Sequence, residues 1–285
     1  MARRAWEARS RLVGLSYPMS ADPLGLVATA YVVMAFVMAG LWALQTRVHN
    51  ASIADVGWCA GLIGVVLWYG TQAAGEFERK VLVSIFVTIY AGRLGLHVLV
   101  NRIIGKQEDP RYRRLREQWG ASAGLYLFVY FQLQALAVVV FSLPFLVIIQ
   151  NPRPAFALRE AAGILLWILA VSGETAADWQ LARFRAKPWN HDHVCRDGWW
   201  KYSRHPNYFF EWLHWWSYVV MAIGAPGWPL TWIGPVVMGV ALIKVTGIPL
   251  AEQQAVRSRG ADYRRYQQTT NAFVPWWPKR PTTHP

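Results

Sequence analysis

Residues 24–44 read LGLVATAYVVMAFVMAGLWAL, an uninterrupted run without a single charge. At about 1.5 Å of rise per residue such a run makes a helix about 30 Å long, the thickness of the hydrocarbon layer of a bilayer. Four arginines, Arg3, Arg4, Arg9 and Arg11, precede it, as in a signal peptide. The run is longer than a signal-peptide core, however, and offers no clear small-x-small cleavage site, so it reads as a retained first transmembrane helix.

Working outward from it, apolar runs of membrane-crossing length recur at 56–74, 81–100, 125–149, 161–178, 208–224 and 228–248. The expectation is an all-α, polytopic integral membrane protein with seven spans. It forms one transmembrane domain over 1–285, comprising a tail (1–23), a seven-helix core (24–248) and a C-terminal tail (249–285). Ala225-Pro226-Gly227 marks a tight hairpin between the last two helices. Apolar residues make up 54% of the chain and charged residues only 16%, which fits a lipid-embedded unit rather than a soluble domain. No internal repeat or low-complexity segment is present.

The charges are unbalanced, 29 basic against 16 acidic. A nucleic-acid binder would carry its basic stripe on a soluble domain, whereas here the basic residues lie between apolar runs, so nucleic acid is excluded as a partner. Anionic headgroups or an anionic cofactor fit the pattern. If the helices alternate, one face of the membrane receives 19 Lys and Arg, in the loops 45–55, 101–124 and 179–207 and after 249, and the other receives 8. The positive-inside rule then puts the C-terminus in the cytoplasm and the N-terminus outside, with the four N-terminal arginines on the minority side. Cys59 and Cys195 form neither a disulfide framework nor a zinc spacing, and His191, His193 and Cys195 lack a fourth ligand, so no metal is expected.

Ionisable residues inside spans are costly and mark function by default. Here they are Asp55, Arg93, His97, Glu174, Asp178, Glu211, His214 and Lys244. Under the topology above all eight fall in the cytoplasmic half of their helices, as if lining one polar chamber. Tyr90, Arg93 and His97 share one helix face, Glu174 and Asp178 another, and Asn207, Glu211 and His214 a third. A tyrosine beside an arginine suits an oxygen that gains negative charge. The basic, aromatic loops 101–124 and 179–207 offer guanidinium forks for phosphate and planes for a base. In Arg204-His205-Pro206-Asn207, proline at the first helical position leaves free N–H groups that favour an anion. There is no Gly-x-Gly-x-x-Gly after a strand and no Walker loop.

The runs ADWQLARFRAKP (177–188), DGWWKYSRHPN (197–207), SRHPNYFFEW (203–212) and YRRYQQTTNAFVPW (263–276) resemble the steroid 5-alpha-reductase family, in particular its bacterial membrane branch. The likeness extends from about Ser52 to Trp277. It implies a seven-helix reductase in the bacterial inner membrane that holds NADPH in its cytoplasmic half and reduces the 4,5 double bond of a 3-oxo-steroid or a similar lipid enone. Carried over by motif, Tyr90 and Arg93 become catalytic, and Asn207, Glu211, Asp178 and Arg185 bind cofactor. Arg204, His205, Tyr208, Glu174, Tyr202, Arg102 and Lys244 complete the expected cofactor set. The family's acid on the second helix is a glutamate after a glutamine; the nearest residue here is Asp55, in SIADVGW, with no glutamine beside it. The implied mechanism is hydride transfer to the β carbon while Tyr90, supported by Asp55 and Arg93, hydrogen-bonds the carbonyl oxygen. Arg-His-Pro-x-Tyr is shared with isoprenylcysteine carboxyl methyltransferases, so an S-adenosylmethionine-dependent methyltransferase is the rival reading. A membrane carrier is the third, disfavoured because no polar stripe runs through the outer half.

Overall fold

A computed structural model describes residues 22–153, 155, 158–190 and 192–279. His191, the four N-terminal arginines and residues 280–285 lie outside the described residues. The chain forms two compact units, Met1–Ala155 and Phe156–Pro285. Among the described residues all regular structure is helical, apart from one isolated bridge between Ser203 and Asn271.

The first unit contains α1 (Pro23–Val48), α2 (Ile53–Gln72), α3 (Phe77–Val98), α4 (Pro110–Trp119) and α5 (Ala123–Ile149), with a π-helical turn at Leu99–Ile103 extending α3. Asp22 caps α1 by accepting from the Gly25 N–H, with Pro23 in the first turn. Apolar sequence surrounds these helices, so small residues decide how closely they approach. A Cβ on Gly57 would lie 2.4 Å from Leu41 Cδ1, and one on Gly61 2.5 Å from Met34 Cε, so α1 side chains sit directly on the α2 backbone. Antiparallel α2 and α3 meet with Gly95 against Cys59 and Gly70 against Ser84. The buried Tyr69 and Ser142 hydroxyls, 3.0 Å apart, tie α2 to α5. At the α2–α3 turn Gly75 has φ of 145°, and a Cβ there would meet Ile149 O at 1.9 Å, so only glycine fits. Beside it the fully buried Arg79 donates to Asn151 O and Arg153 O, at 2.6 and 3.0 Å, just past the end of α5.

The second unit contains α6 (Leu158–Arg185), α7 (Pro206–Ala222), α8 (Ile233–Val240) and α9 (Ile248–Thr269). The antiparallel pair α6–α7 packs through Gly163 and Gly173: added Cβ atoms would lie 2.3 Å from Met221 Cγ and 2.5 Å from the Phe210 ring. The hairpin expected at 225–227 is present, with Gly224 and Gly227 at positive φ. Beyond it the apolar run is a 3₁₀ turn (Trp228–Trp232), α8, and a π-helical turn (Ala241–Val245). Polar α9 follows, kinked at Gly260, and the chain then returns along residues 202–204. Arg204 N donates to Asn271 O, Trp276 N to Tyr202 O, and Lys279 N to Thr269 O.

Among the described residues, six helices are long and apolar enough to cross a membrane: α1, α2, α3, α6, and the runs Pro110–Ile149 and Trp228–Thr269, whose apolar parts are α5 and residues 228–245. The protein is thus an all-α integral membrane protein. The expected span at 208–224 coincides with α7, whose 17 residues make a helix about 25 Å long, short of the roughly 30 Å hydrocarbon layer.

Candidate functional site

Asp55 lies in the first turn of α2 and is the hub of a polar cluster in the first unit. Its Oδ1 accepts from the Tyr112 hydroxyl at 2.7 Å and its Oδ2 from Arg111 Nη2 at 2.9 Å. Arg102 Nη1, on the π-helical turn, is 3.7 Å from Oδ2 and 3.2 Å from Asp109 Oδ2. Arg111 also grips Asp109 through Nε at 3.1 Å. The Tyr112 and Tyr130 hydroxyls are 3.3 Å apart, and Gln134 Nε2 donates to Tyr130 at 2.9 Å. A phenol has one proton, and the carboxylate is the stronger acceptor, so Tyr112 gives its proton to Asp55 and receives one from Tyr130.

This cluster depends on how α4 is built. Asp109 is its N-cap, accepting from Arg111 N–H, and Pro110 opens the helix, so Arg111 and Tyr112 fall in the first turn. Glu108 anchors the approach, accepting from Ala51 N–H at 2.7 Å and pairing with Arg116 Nε at 3.0 Å. Burial works to raise the Asp109 carboxyl, but the hydrogen bonds from Arg111 and the charges of Arg111 and Arg102 outweigh it and hold the group below the ordinary carboxylate range.

Tyr90 and Arg93 sit deeper. The contacts of Cys59 with Gly95 and of Ser84 with Gly70 fix the α2–α3 register, placing Leu99 level with Asp55 and Tyr90 level with Gly64. Nine residues of α2 separate those levels, about 13 Å along the axis. The structure therefore brings Asp55 together with Arg102 and with two residues not foreseen as site members, Arg111 and Tyr112, while Tyr90 is wholly buried further down α3. The sequence signal for α4 was Asp109-Pro110, an N-cap followed by proline at the first helical position.

In the second unit Asn207 Nδ2 donates to Asp178 Oδ1 at 3.1 Å, joining two of the expected cofactor residues. Asn207 Oδ1 is buried without a hydrogen-bond partner. One turn along, the largely buried Glu211 accepts from Trp215 Nε1 at 3.2 Å, and His214 Nε2 lies 3.0 Å from the Tyr218 hydroxyl. Glu174 is also buried. Arg185 is exposed at the end of α6, and Lys244 is exposed on the π-helical turn.

Arg204 and His205, expected at the cofactor, engage α9. Arg204 Nε donates to Glu252 Oε1 at 2.6 Å, and its Nη1 donates to Gln267 O and Thr270 O at 3.2 and 2.5 Å. His205 Nε2 is 3.3 Å from the same Glu252 oxygen, and Gln267 Nε2 donates to Oε2 at 2.8 Å. Burial works to raise Glu252, but these hydrogen bonds and the Arg204 charge prevail and bring it down to about 2. The His205 ring stacks on Tyr208 at 5.3 Å, and Tyr202 packs edge-on against Trp277. Nearby Cys195 is a buried thiol, raised chiefly by that burial and hence poorly nucleophilic.

No curated protein and no solved structure matches the chain. Residues 41–270, which hold nearly every residue of both clusters, match the family described as protein of unknown function DUF1295. The chain therefore belongs to the DUF1295 family.

Proposed function

We propose that this protein is an NADPH-dependent reductase of an activated C=C bond in a lipid enone, with the 4,5 bond of a 3-oxo-4-ene steroid as the reference substrate. The DUF1295 family comprises membrane proteins related to steroid 5-alpha-reductases, which supports the class. The observation that carries the reading is the buried Tyr112 hydroxyl held on Asp55 beside Arg111, at the mouth of an apolar helix. When a carbonyl oxygen binds, the single Tyr112 proton would turn from Asp55 to that oxygen as it becomes enolate-like, and Arg111 would keep the Asp55 carboxylate paired. In this role Tyr112 takes the position beside Asp55 that the resemblance assigned to Tyr90; Tyr90 and Arg93 remain candidates for contact with the deeper part of the substrate.

The second unit fits a nicotinamide dinucleotide in part. The unsatisfied Asn207 Oδ1 would accept from a carboxamide N–H, with Asp178 fixing the Asn207 side chain, and exposed Arg185 would meet a phosphate. Arg204 and His205 would support that site through α9. The cofactor, when bound, supplies hydride; the chain's own residues orient the lipid and stabilise the developing charge. We place the cofactor side and the C-terminus in the cytoplasm, in a bacterial inner membrane, on the distribution of Lys and Arg.

The test is reduction of a 3-oxo-4-ene lipid with 4-deuterated NADPH by the purified full chain. Deuterium at the β carbon, lost in Asp55→Asn, supports the proposal. Absence of label transfer from wild-type protein across steroid and isoprenoid enones contradicts it.

A further inference from the structure

The first unit carries an apolar groove of about 700 Å³, within the range that holds one lipid-sized ligand. It runs between α1 and α2 and is closed at one end by Leu99 and Ile103 of the π-helical turn. Apart from the Thr29 hydroxyl and the Trp68 indole N–H, its lining is hydrocarbon and methionine.

Helical periodicity separates this groove from the Asp55 cluster. The α2 lining residues Ile53, Gly57 and Gly64 recur at helical spacing on one face. At about 100° per residue, Asp55 is turned about 160–200° from Ile53 and Gly57, onto the side that meets α3. The body of the groove therefore lies on the face of α2 turned away from Asp55, and its Leu99–Ile103 end reaches the level of Asp55. From Ile53 to Trp68 it extends about 22 Å along α2, enough for one leaflet's roughly 15 Å of hydrocarbon.

The two ends differ in charge. The segments that adjoin the Ile53, Leu99 and Ile103 end in sequence, residues 45–55 and 99–120, carry seven Lys and Arg against four Asp and Glu. The surplus is three positive charges. Arg102, between the two lining residues of the π-helical turn, keeps 39% of its side chain exposed while its Nη1 holds the carboxylates.

We propose that this groove is a binding site for one acyl chain of an anionic bilayer phospholipid, with its phosphate at the Arg102 end. The inference does not rest on the reductase reading. Gly64 supplies a clean probe, because it lines the groove and an added Cβ would meet nothing within 4 Å. Gly40, on α1 and outside the lining, is equally open and serves as the control.

The full chain is reconstituted with equal phosphatidylglycerol and phosphatidylcholine, and lipid retained on mild detergent extraction is counted by native mass spectrometry. Wild-type protein and Gly40→Phe are expected to retain one phosphatidylglycerol per chain, and Gly64→Phe to lose it. Arg102→Gln is expected to reduce the preference for phosphatidylglycerol about fivefold, the worth of one surface cation at about 1 kcal/mol. If Gly64→Phe does not fold, Gly64→Leu, with a smaller side chain in the same open space, gives the same readout. Equal retention by the Gly64 variant and wild type, no preference for the anionic lipid, or retention of an added 3-oxo lipid in its place would overturn the proposal. Lipid counting requires no cofactor, so its outcome is independent of deuterium transfer.

Discussion

Replacing Arg204 by methionine should loosen the return segment without unfolding the helices. Its guanidinium is the common fastener of α7, α9 and the chain after Thr269, meeting Glu252 Oε1, Gln267 O and Thr270 O. A carboxyl lowered from 4.5 to about 2 corresponds to about 3 kcal/mol at neutral pH, shared among His205, Arg204 and Gln267. Both partners are largely buried, Arg204 11% and Glu252 17% exposed by side chain, so little of this is screened. Arg204 contributes both a hydrogen bond and the charge, so its removal should cost about 2 kcal/mol of local stability, a factor of about 30 in the opening equilibrium. Amide hydrogen exchange reads this directly at Trp276 and Lys279, whose N–H groups bond Tyr202 O and Thr269 O. Both should exchange about 30-fold faster in Arg204→Met, while α2 and α5 amides are unchanged.

The pH dependence has a fixed sign. Glu252 is depressed in the folded state, so its contribution is fully present above about 4.5 and is lost as pH falls towards 2. Protection factors of these amides should match at pH 7 and pH 5 and fall only below about 4. Exchange at Trp276 and Lys279 within twofold of wild type in Arg204→Met would refute the clamp.

Five further substitutions probe other parts of the account. Gly75→Ala places a Cβ 1.9 Å from Ile149 O at φ of 145° and should lower stability by about 3 kcal/mol, read as a fall in Tm, whereas Gly70→Ala, 3.4 Å from Ser84 Oγ, should be close to neutral. Gly163→Val drives side-chain atoms into Met221 and the Ser217 carbonyl and should destabilise the α6–α7 pair by about 3 kcal/mol, visible as faster exchange along both helices. In the proposed reaction Tyr112→Phe should lower kcat by about 10²–10³, the worth of one oxyanion donor, with a smaller loss in Tyr90→Phe; the reverse order would make Tyr90 the donor to the carbonyl and refute the role of Tyr112.

Helix positions were legible where length and hydropathy suffice: the run 24–44 lies inside α1, and the runs at 56–74, 81–100 and 125–149 overlap α2, α3 and α5. Residues 101–124 read as a loop because four arginines around a single buried tyrosine conceal the face that α4 packs inward. The pair Asp178–Asn207 fell within sets chosen from helical spacing and resemblance, and Asp55 followed from charge within a span, whereas Arg102, expected at the cofactor, meets Asp55 only in the fold. Tyr112 was not found, since its contact with Asp55 bridges 57 positions and depends on how the chain closes after the π-helical turn. Arg204 and His205 illustrate the converse: a motif that reads as anion-binding makes its strongest visible contacts with Glu252, about a dozen turns of sequence later, which spacing alone does not reveal.

The central claim is that the chain binds a nicotinamide dinucleotide rather than a methyl donor, and thermal stability of the purified full chain with each ligand tests it most directly. A ligand at about a hundred times its Kd adds about 2.7 kcal/mol to the folded state. The account predicts a rise in Tm with NADPH, reduced in Asn207→Ala, and none with S-adenosylmethionine. A rise with S-adenosylmethionine and none with NADPH would contradict it.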